Sequence, residues 1–218
     1  HWHTTFTRFA RWTQSGIWDR VFQTVSADPD LEEVMIDSTA ICVHPHAAGA
    51  PKNAAHKLWA FLQRIGTQIH SLVDALGNPI GFTLTGAEQA DISQAPALLD
   101  QAPSAGTVIA DEGYDADAWV ERLESQQVEA VIPPRSDRKS PRDYDRHRYK
   151  ARNLVERFFN PLKQFRRIAT RYEKLAAHFT AMVICGCIMQ LLQTLERQLQ
   201  MGGIGRGRQV LVGSSGFA

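Results

Sequence analysis

Four side chains in the second half of this chain sit at fixed offsets: Tyr149, Arg152, Glu156 and Lys163, separated by three, four and seven residues. Upstream, two aspartates each close an apolar run. Asp37 follows Val34-Met35-Ile36, and Asp111 follows Val108-Ile109-Ala110. Carboxylates delivered by separate elements are what two-metal phosphoryl transfer requires, because they converge on divalent cations about 4 Å apart that clamp the attacking and leaving oxygens. Mg2+ suits such a set, since it takes oxygen ligands and keeps several waters; Mn2+ is the expected substitute. Asp37, Asp111 and Glu156 are therefore candidate metal ligands and catalytic residues for phosphodiester chemistry. Offsets of 3, 4 and 7 share one helix face, so Tyr149, Arg152, Glu156 and Lys163 project together from a continuous helix. Arg152 is then placed to hold a substrate phosphate or to orient Glu156, and Lys163 to touch a nucleic-acid backbone near the cut. The plain alternative for Arg152 and Glu156 is an ordinary i,i+4 surface ion pair. Pro161 interrupts the pattern and should kink the helix before Lys163.

Other charged residues compete for these roles. Asp115 is expected to cap the helix that follows it, and Asp74 and Asp91 lie near turns as weak candidates. Net charge is only +1, yet eight Lys/Arg face three Asp between Pro133 and Arg152. Such a run reads either as a solvated mobile loop or as a phosphate-contacting surface. Arg138 and Lys139 lie within it, and a second basic stretch runs from Arg166 to Arg171. Salt-sensitive DNA binding is expected through both stretches. His44 and His46 lack partners for a metal site and read as loop packing or a DNA contact. Cys42, Cys185 and Cys187 form no metal pattern and read as small core residues in a reducing compartment.

The elements that must carry these residues follow from periodicity. Thr4 is expected to cap a first helix that Gly16 ends, and a second covers 17–25. Their dense aromatic face reads as core rather than binding surface. Strands are expected over 33–39, 67–73 and 80–85, the last two joined by a turn at Leu76-Gly77-Asn78-Pro79. A short helix over 95–101, a strand ending at Asp111, a helix over 116–125 and a strand over 128–132 come next. Long helices then cover 149–165 and 172–199. The stretch 44–59 reads as loop, and the tail after Met201 as disordered. The order is α/β with a mixed sheet. The longest apolar run, 181–189, falls short of the roughly 20 residues needed to span a bilayer. With no signal peptide, the expectation is a cytoplasmic protein with no membrane partner.

With these residues in hand, the chain resembles DDE transposases of bacterial insertion sequences, in the insertion-sequence-five family of the insertion-sequence-four superfamily. The resemblance covers residues 2–192. It rests on Val34-Met35-Ile36-Asp37-Ser38-Thr39, on Ala110-Asp111-Glu112-Gly113-Tyr114-Asp115, and above all on 149–172. It implies a ribonuclease-H-like mixed sheet flanked by helices, with Asp37, Asp111 and Glu156 as the metal-binding catalytic triad. Tyr149, Arg152 and Lys163 take the family's signature positions. The implied activity is Mg2+-dependent cleavage at transposon ends, then attack of the freed 3′-hydroxyl on target DNA. The implied partners are double-stranded DNA, as terminal inverted repeats and as target, and a second copy of the chain on that DNA; the implied location is the bacterial nucleoid. Four departures stand out. Residues 1–30 read as the remnant of a larger N-terminal DNA-binding region, so the chain looks N-terminally truncated. Leu58 to Arg64 replaces an expected Gly/Arg/Ser-rich stretch. Pro161 replaces a basic residue, and the sequence from Gln193 onward is unlike the family's end. The remaining organisation is a catalytic domain over 31–175, a C-terminal helix over 176–200 and a tail over 201–218. Two other readings remain: an inactive DNA-binding remnant, and a nuclease that cuts without joining.

Overall fold

The computed structural model describes residues 1–48 and 66–202 of the chain. The 58–64 segment and the tail beyond Gly202 lie outside the described residues. A sheet of six strands forms the centre. β1 (Glu33–Val43), β2 (Thr67–Val73) and β3 (Pro79–Gly86) form an antiparallel meander. β4 (Thr107–Ile109) and β5 (Glu129–Val131) add in parallel on the other side of β1, giving the order β3-β2-β1-β4-β5. β6 (Thr170–Arg171), which no periodicity announced, pairs with the far end of β1. This is the mixed, helix-flanked sheet of the ribonuclease-H-like expectation.

Two cores cover the two faces, as the period-2 alternation of strands demands. On one face Met35, Ile69, Val73, Ile109 and Val131 meet Phe22 of α2 (Ile17–Val25), α5 (Asn153–Leu162), α6 (Arg166–Ala169) and α7 (Ala176–Gly202). On the other, Val34, Ile36, Leu72 and Val108 meet α3 (Ala95–Leu99) and α4 (Asp117–Ser125). α5 buries Val155, Phe158, Phe159 and Leu162, spaced as one helical stripe. α7 passes a length-and-apolarity test for crossing a membrane. Yet Phe179, Val183, Ile184, Cys187, Ile188 and Leu191 are buried in the core, so this face of α7 is a core stripe. Gly186 permits that approach: a Cβ there would stand 2.6 Å from Ile168 Cδ1 and 2.8 Å from Leu162 Cδ1.

Several sequence expectations need correction. α1 (Trp2–Gln14) starts at Trp2, so Thr4 lies inside it rather than capping it. Gly16, at φ +64°, does separate α1 from α2. The aromatic face of α1 is not core. Trp2 is 70% exposed and Phe6 48%; Phe6 and Phe9 meet His178 of α7 and Trp12 meets Trp18 of α2 at the surface, while α2 buries Phe22. Cys187 is buried, but Cys42 is exposed on β1. Asp74 organises the β2–β3 turn, its Oδ1 accepting from the backbone N–H of Leu76 (2.9 Å) and Asn78 (2.7 Å). The expected helix over 149–165 is broken into a 3-10 turn over Arg148–Arg152 and α5. Pro161 sits in the last turn of α5, which ends at Leu162. Phe165 is extended, so the chain turns away instead of continuing.

Candidate active site

Register places the two aspartates. β4 pairs with β1 only as far as Met35↔Ile109, while β2 follows β1 to Ile41. Asp37 and Asp111 each stand two residues past that last parallel pair. By alternation they share the face of Met35 and Ile109, the face α5 covers. Asp37 is thus mid-strand in β1 rather than at its end, as the sequence suggested. What ends beside it is β4, and that leaves its flank open. Asp111 caps the 3-10 turn Glu112–Tyr114, accepting from the Gly113 N–H at 2.9 Å. A Cβ on Gly113 would sit 2.9 Å from Asp111 Oδ1, so glycine leaves room for the carboxylate. Glu156 lies in the first turn of α5, where the helix dipole favours a negative charge.

One guanidinium gathers all three acids. Arg152 Nη2 donates to Asp37 Oδ2 at 2.9 Å and lies 3.7 Å from Asp111 Oδ2, while Nη1 donates to Glu156 Oε1 at 2.7 Å. The i,i+4 pair with Glu156 exists, but it is one arm of a larger bridge. Burial pushes the Asp37 carboxyl up to about 6, although Arg152 and the Ser38 N–H pull it down; the Asp111 and Asp91 charges add to the rise. Glu156 has a side chain 55% exposed, against 12% for Asp37. Tyr149 is half-buried, packs edge-to-face on Tyr144 with ring centres 5.6 Å apart, and has its phenol raised chiefly by burial. Lys163 caps the C-terminus of α5 and is exposed.

The basic run is mostly turned inward. Asp115 does not cap α4. Buried, it accepts from the Arg135 N–H (2.9 Å), Arg138 Nη1 (2.9 Å) and Arg142 Nη1 (2.8 Å). Arg138 and Arg142 also pair with Asp117, and Arg135 with Asp137. Arg148 holds Glu33 at 2.7 Å and Thr107 Oγ1 at 2.8 Å, with Glu129 beside them. Of the eight cations only Lys139, Arg146 and Lys150 carry no ion pair among the described residues. The run is therefore a strap tied to the sheet, and Arg138 is part of its fastening. In the second stretch Arg166 is exposed, Arg167 pairs with Glu173 at 2.5 Å, and Arg171 is fully buried, donating to Thr67 Oγ1. His44 stacks on Tyr172 with centroids 4.7 Å apart and meets His46 edge-to-face, so both histidines take part in ring packing.

A polar layer beneath the site went unnoticed in the sequence. Ser38 Oγ and Gln68 Nε2 both donate to Asp91 Oδ1, and His70 Nδ1 lies 3.6 Å from it. His70 is fully buried and pairs with Thr85 Oγ1 at 2.7 Å. Since Thr85 donates to the Gly86 carbonyl, the ring donates through Nε2. Tyr114 is also fully buried, with no partner for its hydroxyl among the described residues. The signal was available: Ser38, Gln68 and His70 are polar residues on the inward face of apolar strands.

Hard oxygen donors from three elements fit a divalent cation of the Mg2+ type. As they stand, no three His, Cys, Asp or Glu side chains among the described residues are grouped closely enough to hold one. Arg152 lies between the three acids, and its contacts are the ones such a cation would take over.

The chain is similar to several known proteins. The chain is 39% identical over 124 residues to a Brucella ovis protein described as a transposase for insertion sequence element IS6501, covering 56% of this chain and 95% of that one. It is 31% identical over 145 residues to a Burkholderia cepacia protein described as a transposase for IS402, covering 62% and 66%. Among solved structures, the catalytic domain of Mos1 mariner transposase superposes with a TM-score of 0.33 at 13% identity, over 89% of this chain and 90% of that one. Residues 28–192 match the transposase DDE domain family. With three quarters of its length inside that match and all three carboxylates within it, the chain belongs to the DDE transposases.

Proposed function

We propose that this chain cuts DNA at the ends of an insertion sequence and joins the freed 3′-hydroxyl to target DNA. The observation that carries this reading is the convergence of Asp37, Asp111 and Glu156, from a strand, a strand end and a helix, on one cationic group. Acids that repel each other are held together where a cation offsets their charge, and in the absence of metal Arg152 takes that place. Mg2+ held by these three residues would supply Lewis-acid polarisation of the phosphoryl oxygen and a nucleophile of lowered pKa. The protein's own part is positional. β1 and β4 fix the two aspartates rigidly, and Glu156, half exposed on α5, is free to adjust. Arg152, once released from the acids, carries its positive charge to the scissile phosphate. Tyr149 packs beside it, and Lys163 and Arg166 present free charge along the exposed side of α5 and α6. Lys139 extends that contact from the strap, while Arg138 serves to hold the strap in place. Cutting and joining use the same acids, and residue chemistry alone does not separate a transposase from a nuclease. The separating experiment supplies a precut end bearing a 3′-hydroxyl, a supercoiled target plasmid and Mg2+. Joined product supports the transposase reading. Nicking without joining supports a nuclease.

A further inference from the structure

The far flank of α5 carries a second feature that the triad does not use. A groove of about 410 Å3 runs between α5 and α7. Arg157 lines it from α5 and Gln164 from just past the end of that helix; Gln190, Gln193 and Arg197 line it from α7. On α7, 190, 193 and 197 follow the i, i+3, i+7 pattern that aligns side chains on one face. The groove is thus edged by a polar stripe of α7 and by Arg157 of α5, two helices whose other faces are buried in the core. Among the described residues no Asp or Glu lines it. Arg157 and Arg197 are exposed and carry no ion pair among the described residues, whereas Arg135, Arg138, Arg142, Arg148 and Arg152 are all paired. The groove thus combines two exposed guanidinium groups with amide side chains.

We propose that this groove is a second DNA-backbone track, in which Arg157 and Arg197 neutralise phosphates and the glutamines donate to phosphate oxygens. It rests on the function proposed above. Arg157 is 100° around α5 from Glu156, and an α-helix with its side chains is only about 10–12 Å across. A duplex laid over the exposed face of α5 therefore meets the carboxylates on one flank and the groove on the other. Phosphate contacts of this kind set position rather than sequence preference.

Because the contact is with the backbone, a labelled random-sequence duplex is a sufficient probe. Binding is measured by fluorescence anisotropy between about 50 and 200 mM salt. The wild-type chain is compared with Arg157→Gln/Arg197→Gln, with Arg157→Lys/Arg197→Lys, and with Arg122→Gln on the opposite face of the sheet. Each lost phosphate contact lowers the slope of log K against log salt by about 0.9. The expected result is a slope shallower by about 2 in the Gln pair, restored in the Lys pair and unchanged in Arg122→Gln, with identical circular dichroism throughout. A wild-type slope preserved in the Gln pair overturns the track and leaves the proposed function standing. A flat slope in the wild-type protein overturns both.

Discussion

Replacing Arg152 with glutamine should tighten divalent-metal binding in the absence of DNA. In the metal-free protein the guanidinium makes charge-assisted contacts with Asp37 at 2.9 Å and Glu156 at 2.7 Å, and approaches Asp111 at 3.7 Å. A cation entering the site has to displace these contacts. The Glu156 arm is half solvated and contributes little. The Asp37 arm is largely buried, and a hydrogen bond to a charged group contributes about 1.5–3 kcal/mol. Removing that competition should strengthen Mn2+ or Mg2+ binding by roughly 10- to 150-fold, at about 1.4 kcal/mol per tenfold. Isothermal titration of Mn2+ into wild-type and Arg152→Gln protein at pH 8 measures it. At that pH Asp37, raised to about 6 in the wild-type protein, is ionised there; losing the Arg152 charge raises it further in the variant, so the titration is repeated at a higher pH to separate protonation from competition. Unchanged or weaker metal binding in the variant would refute the idea that Arg152 stands in the cation's place. DNA cleavage by the variant should nevertheless fall, since the group that meets the phosphate is gone.

Two further outcomes follow from buried groups near the site. Asp37 has a folded-state pKa raised from 3.8 to about 6 by burial, so between about pH 4 and 6 the native state binds more protons than the unfolded one. Stability therefore falls as pH rises through that window, by about 3 kcal/mol, and the penalty is fully present above it. Asp37→Asn should remove that dependence, so that thermal denaturation without metal shows the variant gaining several degrees over wild type from pH 4 to pH 7; parallel curves would contradict the burial argument. Tyr114→Phe deletes a buried hydroxyl that has no partner among the described residues, and should leave urea stability unchanged or higher by about 1 kcal/mol. A clear loss would mean that the hydroxyl is bonded to one of the nearby carboxylates.

The three acids that gather on Arg152 were legible as candidates because their signals are local: an acid after an apolar run for Asp37 and Asp111, and an i,i+4 Arg–Glu pair for Glu156. Strand alternation and helical periodicity likewise predicted β2, β3 and α4. What the sequence concealed depends on long-range partners. Asp115 has the look of a helix cap, and only the fold brings Arg138 and Arg142 to it across more than 20 residues. Arg171 reads as one more surface cation, yet β6 pairs with the end of β1 and carries it into the core. Asp37 was expected at a strand end because apolarity stops there, but β1 continues on hydrogen bonds to β2, which ask for no apolar side chains. The aromatic stripe of α1 shows the converse: periodicity reports amphipathicity, and here the stripe meets Trp18 of α2 and His178 of α7 while Trp2 and Phe6 stay exposed.

The most direct test of the carboxylate site is Mg2+-dependent nicking of a duplex carrying the element's terminal repeat, comparing the wild-type chain with Glu156→Gln. Glu156 is half exposed and makes one contact, to Arg152, so the substitution should leave folding intact. Nicking by the wild type that requires Mg2+ and is lost in the variant, with DNA binding retained, is the predicted result. Equal nicking by both proteins would contradict the assignment of Glu156 to the site.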